Sequence, residues 1–262
     1  MNCKNCEEQL NENATYCLNC GARVIKNRLT IKNLFGHALE QYFNVDNRFL
    51  MTFLHLLIKP HIVIDSYIQG MRKRYVNPLS YIAIALTLSG VIVFLLKKFN
   101  TMDLIFDVIP QQAGQQLFQQ KVNEFTLEYS SLLFIFYIPA LAIPSLIIFL
   151  DKRYNLTEHL VAYVYIFAQY SLFTFPFSLL IILFAPKWYI WFGLVVLIFI
   201  PFYSMIIFKK IFKISLSNLI PRFLGFCFLG LIAYFAISLI PIIFLFATGE
   251  ISIQDLVPKV PK

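Results

Sequence analysis

Residues 160–184 read LVAYVYIFAQYSLFTFPFSLLIILF, a stretch without a single Asp, Glu, Lys or Arg. A helix rises 1.5 Å per residue, and about 20 predominantly apolar residues cross the hydrocarbon core of a bilayer. A segment apolar on every side has no face to offer water, so its place is lipid or the centre of a bundle in lipid. Outward along the chain lie four more charge-free runs: Leu79–Leu96, Ser131–Leu150, Trp188–Phe208 and Phe223–Ala247. The whole composition follows from them: 59% of residues are apolar, 14% are charged, and Phe occurs 28 times. A soluble domain carries about 45–50% apolar and about 25% charged residues. The expected fold is therefore an all-α polytopic membrane protein of about five transmembrane helices.

No run resembles a secretory signal. The first apolar stretch begins near residue 79, behind a long polar and amphipathic segment with no small-residue cleavage site, so the mature chain is expected to keep its N-terminus. The net charge of +8 is unevenly placed. With the N-terminus inside, the segments on that side hold 16 Lys and Arg and the opposite segments 6, which by the positive-inside rule predicts a cytoplasmic N-terminus and a C-terminus across the inner membrane. Arg72, Lys73 and Arg74 stand just before the first span and read as a topology anchor that also meets lipid headgroups.

The most specific motif is N-terminal. Cys3-x2-Cys6 and Cys17-x2-Cys20, followed by Gly21, form two paired-cysteine turns. Four soft thiolates suit tetrahedral Zn2+, and with no open position the metal is structural rather than catalytic. A redox pair or two disulfides would compete, but a reducing compartment disfavours stable disulfides. Residues 1–24 are thus expected to form a zinc ribbon folded by its metal, since so short a unit buries too little core to fold alone. Lys4 and Arg23 stand against Glu7, Glu8 and Glu12, so no basic face is offered to nucleic acid, and contact with protein is the better match.

Residues 25–78 join the ribbon to the spans. Ile31, Leu34, Phe35, Ala38, Leu39, Tyr42 and Phe43 share one helical face, which predicts an amphipathic helix over 30–43. Asn47–Ile58 predicts a second helix, too short to span, ending before Pro60, and Gly70 predicts a stop. Within the third span Tyr163, Gln169, Tyr170 and Thr174 are the polar residues that would line a cavity, although hydrogen bonding between helices accounts for them equally well. Asp151, Glu158 and His159 read as solvated loop residues. Gln111 to Gln120 predict a polar helix or a low-complexity stretch, and residues 248–262 a tail.

The ribbon cysteines, the run Thr52-Phe-Leu-His-Leu-Leu57, Lys59–Pro60, and Tyr67-Ile-Gln-Gly70-Met-Arg72-Lys-Arg74-Tyr75-Val-Asn-Pro78 together resemble a family of bacterial integral membrane proteins of unknown function that carry an N-terminal four-cysteine zinc ribbon. The resemblance implies membrane location and a zinc ribbon, and it brings no activity. No H-E-x-x-H, phosphate loop or G-x-S-x-G is present, and the five runs hold no charge for an ion relay. Two functions remain. One is a membrane-anchored scaffold, adaptor or regulator whose ribbon contacts a protein partner; the other is a channel or uncoupled transporter formed by the helical bundle, alone or as a homo-oligomer.

Overall fold

The computed structural model describes residues 2–3, 6–11, 14–21, 45–99 and 116–251. The amphipathic helix expected over 30–43, Gln111 to Gln115, and residues 252–262 lie outside them. The chain divides into two compact units, Met1–Asn47 and Arg48–Lys262. The described part of the first is built from turns, with one isolated antiparallel bridge between Asn2 and Gln9.

The second unit is helical. Its described elements are α1 (Val45–Ile58), α2 (Pro60–Ile68), α3 (Pro78–Lys98), α4 (Gln116–Glu128), α5 (Ser130–Ile148), α6 (Leu156–Phe184), a 3-10 turn at Pro186–Trp188, α7 (Tyr189–Phe212) and α8 (Leu216–Ala247). The helices α3, α5, α6, α7 with its preceding turn, and α8 are long and apolar enough to cross a membrane. Their outer surfaces fit that solvent: Phe94, Phe184, Val195, Phe228, Phe235 and Ile243 are all exposed. The protein is an integral membrane protein of the all-α class.

Local chemistry explains the breaks. Lys59, at φ −135°, leaves helical geometry because the Pro60 ring crowds the residue before it, and Pro60 then occupies the first position of α2, where no amide is needed. Arg48–Ile58 and Pro60–Ile68 consequently meet at a bend of 116°. A proline also strips the carbonyl four residues earlier of its partner, here that of Leu56, and the Tyr203 hydroxyl of α7 donates to it at 2.5 Å. At the start of α3 the Asn77 side chain accepts the Leu79 amide at 2.9 Å, with Pro78 at the first helical position.

The centre of the bundle is α6, whose apolar window is 44% buried against 17–28% for the other spans. It packs on α3, α5 and α7. Its start is fixed by a capping box in which Asn155 accepts the Glu158 amide at 3.0 Å and Glu158 accepts the Asn155 amide at 2.7 Å. That start corrects the expectation of loop solvation for His159. Because α6 begins at Leu156, His159 falls in its first turn and is fully buried, with Nδ1 3.0 Å from the Ser145 hydroxyl of α5 and its ring against Phe208.

Rings fill the interior: Tyr163 stacks on Phe226, and Phe208 meets Phe149, Tyr163 and Phe212. The helices α5 and α8 approach closely at Gly225, where a Cβ would stand 2.8 Å from Ile148 Cδ1, the small-residue solution typical of helices in lipid. Helix α8 begins before the charge-free run that marks it, so Arg222 lies inside its second turn. There its guanidinium grips Asp151 with two bonds of 2.6 and 2.9 Å and donates to the Ile148 carbonyl at 3.0 Å. Arg222, with Lys152, holds the Asp151 carboxyl well below the usual carboxylate range. At the other end of α8, Phe125 of α4 packs on Phe244, and the Lys121 ammonium donates to the Glu250 carbonyl.

Candidate functional site

Each cysteine pair of the N-terminal unit closes a turn. In the first, the Glu7 amide donates to the Cys3 carbonyl at 2.9 Å and the Cys3 amide to the Glu8 carbonyl at 2.8 Å; in the second, the Gly21 amide donates to the Cys17 carbonyl at 2.9 Å. The residue after the second cysteine of each pair turns left-handed, Glu7 at φ 61° and Gly21 at φ 69°. The two turns therefore repeat one conformation, with glycine meeting its demand in one and glutamate adopting it against its preference in the other.

The turns bring the Cys3, Cys6, Cys17 and Cys20 sulfurs within 4.8 Å of one another. Sγ of Cys3 lies 3.7 Å from that of Cys20, and Sγ of Cys6 3.6 Å from that of Cys17. These spacings exceed a disulfide bond of about 2.05 Å and match the edge of roughly 3.8 Å that four Zn–S bonds of about 2.3 Å imply. The backbone hydrogen bond at Glu8 favours the Cys6 thiolate, but the Cys20 thiol, desolvation and the Cys17 and Cys3 thiols outweigh it, and the Cys6 pKa is pushed up to about 12. A divalent cation held here would displace the thiol protons and draw the four sulfurs to itself.

In the helical unit, the segment between α2 and α3 is clamped. The Thr52 hydroxyl of α1, itself fully buried, donates to the Arg48 carbonyl at 2.6 Å and accepts the Val76 amide at 3.0 Å. The Tyr165 hydroxyl of α6 donates to the Val76 carbonyl at 2.7 Å, so both backbone groups of Val76 are met by side chains. Beside them His55 Nδ1 lies 2.9 Å from the Tyr75 hydroxyl. Replacing Thr52 by Val keeps the shape and removes the acceptor for a buried amide, and is expected to cost about 1–3 kcal/mol of stability. A parallel Thr52→Ser variant, which restores the acceptor, is expected to recover most of the melting temperature measured in detergent.

Arg72, Lys73 and Arg74 are exposed on the turn preceding this clamp, with Arg72 over the Tyr67 ring at 5.8 Å and Arg74 over Tyr75 at 5.5 Å. Of the four residues expected to line a cavity, Tyr170 and Thr174 share a cleft, while Tyr163 and Gln169 do not line it. Tyr163 is buried among rings. Gln169 accepts the Tyr81 hydroxyl at 2.5 Å and donates to the Phe53 carbonyl at 3.3 Å, which ties α1 and α3 to α6. Tyr170 and Thr174 line a cleft of about 220 Å3 together with Ser89, Ser178 and Tyr189. Tyr170 and Phe167 also face an apolar groove of about 480 Å3 between α5, α7 and α8.

Thr52, His55, Tyr75 and Tyr81 drew no site assignment from the sequence, because the partners of the clamp lie up to 89 positions away. The comparisons fall on the same region. Residues 46–90 match a family described as "Protein of unknown function (DUF3667)". No curated protein and no solved structure matches the chain. The matched stretch covers α1, α2, the clamped turn and the first half of α3.

Proposed function

We propose that this protein is a membrane-anchored scaffold: a structural zinc ribbon at residues 1–24 that makes protein contacts, joined through residues 25–78 to a helical bundle that holds it at the inner membrane. The observation that carries the reading is the four-cysteine cluster, whose sulfur spacings suit a closed tetrahedral site with no position for substrate. A closed site organises a surface rather than performing a reaction. The charge distribution supports a cytoplasmic ribbon, where thiolates stay reduced and available to metal.

The test is site-specific photocrosslinking in intact cells from positions in the ribbon, with membrane insertion monitored in parallel. A discrete protein adduct from wild type that vanishes in a Cys3→Ser/Cys17→Ser variant, with insertion unchanged, is the expected result. Adducts that persist unchanged after the cysteines are replaced would overturn the scaffold reading.

A further inference from the structure

At one end of the bundle, α2 with the turn that follows it, the α5–α6 loop and the end of α7 line a cleft of about 710 Å3. Its wall carries four formal cations, Lys152, Arg153, Lys210 and Lys213, together with His61, and two carboxylates, Asp65 and Asp151. The carboxylates are already used. Asp65 Oδ1 accepts Arg153 at 2.7 Å and the Tyr154 hydroxyl at 2.6 Å, while its Oδ2 accepts Gln69 at 2.5 Å. Asp151 accepts both Arg222 nitrogens and lies 3.0 Å from the Lys152 ammonium.

What remains is a surplus of donors. Among the described residues, the Lys210 and Lys213 ammonium groups have no hydrogen-bond or ion-pair partner, and His61 Nδ1 is buried without one. Burial and then the Lys210 charge push the His61 pKa below its ordinary value, and the opposing Asp65 carboxylate does not outweigh them. Lys213 is held in place by an unusual backbone, the left-handed cap of α7 at φ 52°, which aligns the Ile214 amide with the Lys209 carbonyl at 3.0 Å.

We propose that this cleft binds a phosphate group. Arg222 is held by Asp151 through two nitrogens and Arg153 by Asp65 through one, so the cationic donors with no partner at all are the lysine ammonium groups, point charges of the kind that meet phosphate. The unpaired donors are the two ammonium groups at the end of α7, separate points of charge such as a tetrahedral, multi-oxygen acceptor takes, and the buried His61 Nδ1 lines the same cleft from α2. The cleft lies at the ends of helices long and apolar enough to cross a membrane, which is where a bilayer presents its phosphates, and its volume also admits a free phosphate from solution. The ligand chemistry is the same in either case.

Two arms separate the sources. The full chain is placed in nanodiscs of phosphatidylcholine with a minor share of phosphatidylglycerol, and retained lipids are weighed by native mass spectrometry. In neutral phosphatidylcholine discs, inorganic phosphate is titrated calorimetrically. Retention of phosphatidylglycerol assigns the cleft to a headgroup; saturable phosphate binding in neutral discs assigns it to a soluble ligand. In whichever arm binds, Lys210→Ala/Lys213→Ala is expected to weaken affinity by about tenfold or more, and Lys210→Arg/Lys213→Arg to retain it. Lys97→Ala/Lys98→Ala removes equal charge from the far end of α3 and is expected to leave binding unchanged.

Amine acylation of the wild-type protein gives a readout that needs no variant. The bound phosphate is expected to slow modification of Lys210 and Lys213 and to spare Lys97 and Lys98. Binding in neither arm, equal loss in the two alanine variants, or equal protection of all four lysines would overturn the proposal.

Discussion

Cys17→Ser is expected to reduce bound zinc from one ion per chain to none and to unfold the N-terminal unit while the helical bundle persists. Cys17 is only 2% exposed, and its sulfur sits 3.6 Å from that of Cys6. A serine hydroxyl cannot replace a thiolate at zinc, and three remaining sulfurs leave the shell open to water. Structural zinc in comparable small modules contributes about 10–16 kcal/mol of apparent binding free energy at neutral pH, which is also the free energy that folds them. The described part of this unit offers little else: Cys3 and Cys17 are its buried apolar residues, and Leu18 is 98% exposed. Metal analysis of the purified chain and protease sensitivity before residue 48 read the effect. A strong chelator is expected to reproduce it in wild type and zinc to reverse it. A Cys17→Ser protein that keeps stoichiometric zinc and a protease-resistant N-terminus would refute the assignment.

The second large effect is expected in the bundle. Phe208 of α7 is fully buried, with ring centroids 5.2 Å from Phe149, 5.2 Å from His159, 6.0 Å from Tyr163 and 5.7 Å from Phe212. Truncation to alanine in a packed core costs about 3–5 kcal/mol, as lost transfer energy plus a cavity. In lipid the transfer part fades, because the separated helix still has apolar surroundings. The cavity and the lost dispersion contacts remain, so the expectation for Phe208→Ala is the lower end, about 3 kcal/mol. Steric-trapping or denaturant measurements in detergent read it directly. Phe228→Ala is the matched control: that side chain is 65% exposed on the outer face of α8, and its loss is expected to change stability by less than about 0.5 kcal/mol. Equal effects of the two variants would mean that the aromatic centre is not the packing core.

The spans were legible because their signal is compositional. A charge-free run has one stable place, and each of the five runs coincides with a long apolar helix. Helix ends were less legible. The α6 capping box and the entry of α8 at Leu216 extend both helices beyond their charge-free runs, since polar residues are tolerated in a first turn that caps or pairs them. His159 thereby changes from a loop residue to a packing residue, and Arg222 stands in a helix, paired with Asp151. The Lys59–Pro60 break was also readable, because proline acts locally on the residue before it.

The sequence by itself determined the solvent, the helical class, the number of candidate spans and which four cysteines come together, because each rests on composition or on spacing within a turn. Only the tertiary structure decided which polar side chains work together. Thr52 and Tyr165 meet at Val76, Gln169 joins Tyr81 to Phe53, and Tyr203 reaches the Leu56 carbonyl that Pro60 leaves free, across separations of 24 to 147 positions. The basic cleft is of the same kind. Lys210 and Lys213 read along the chain as topology signals, and they become a donor surplus only when folding commits Asp65 to Arg153 and Asp151 to Arg222. Charge balance within a site depends on which partners a side chain reaches in space, and no local pattern in the chain encodes that reach.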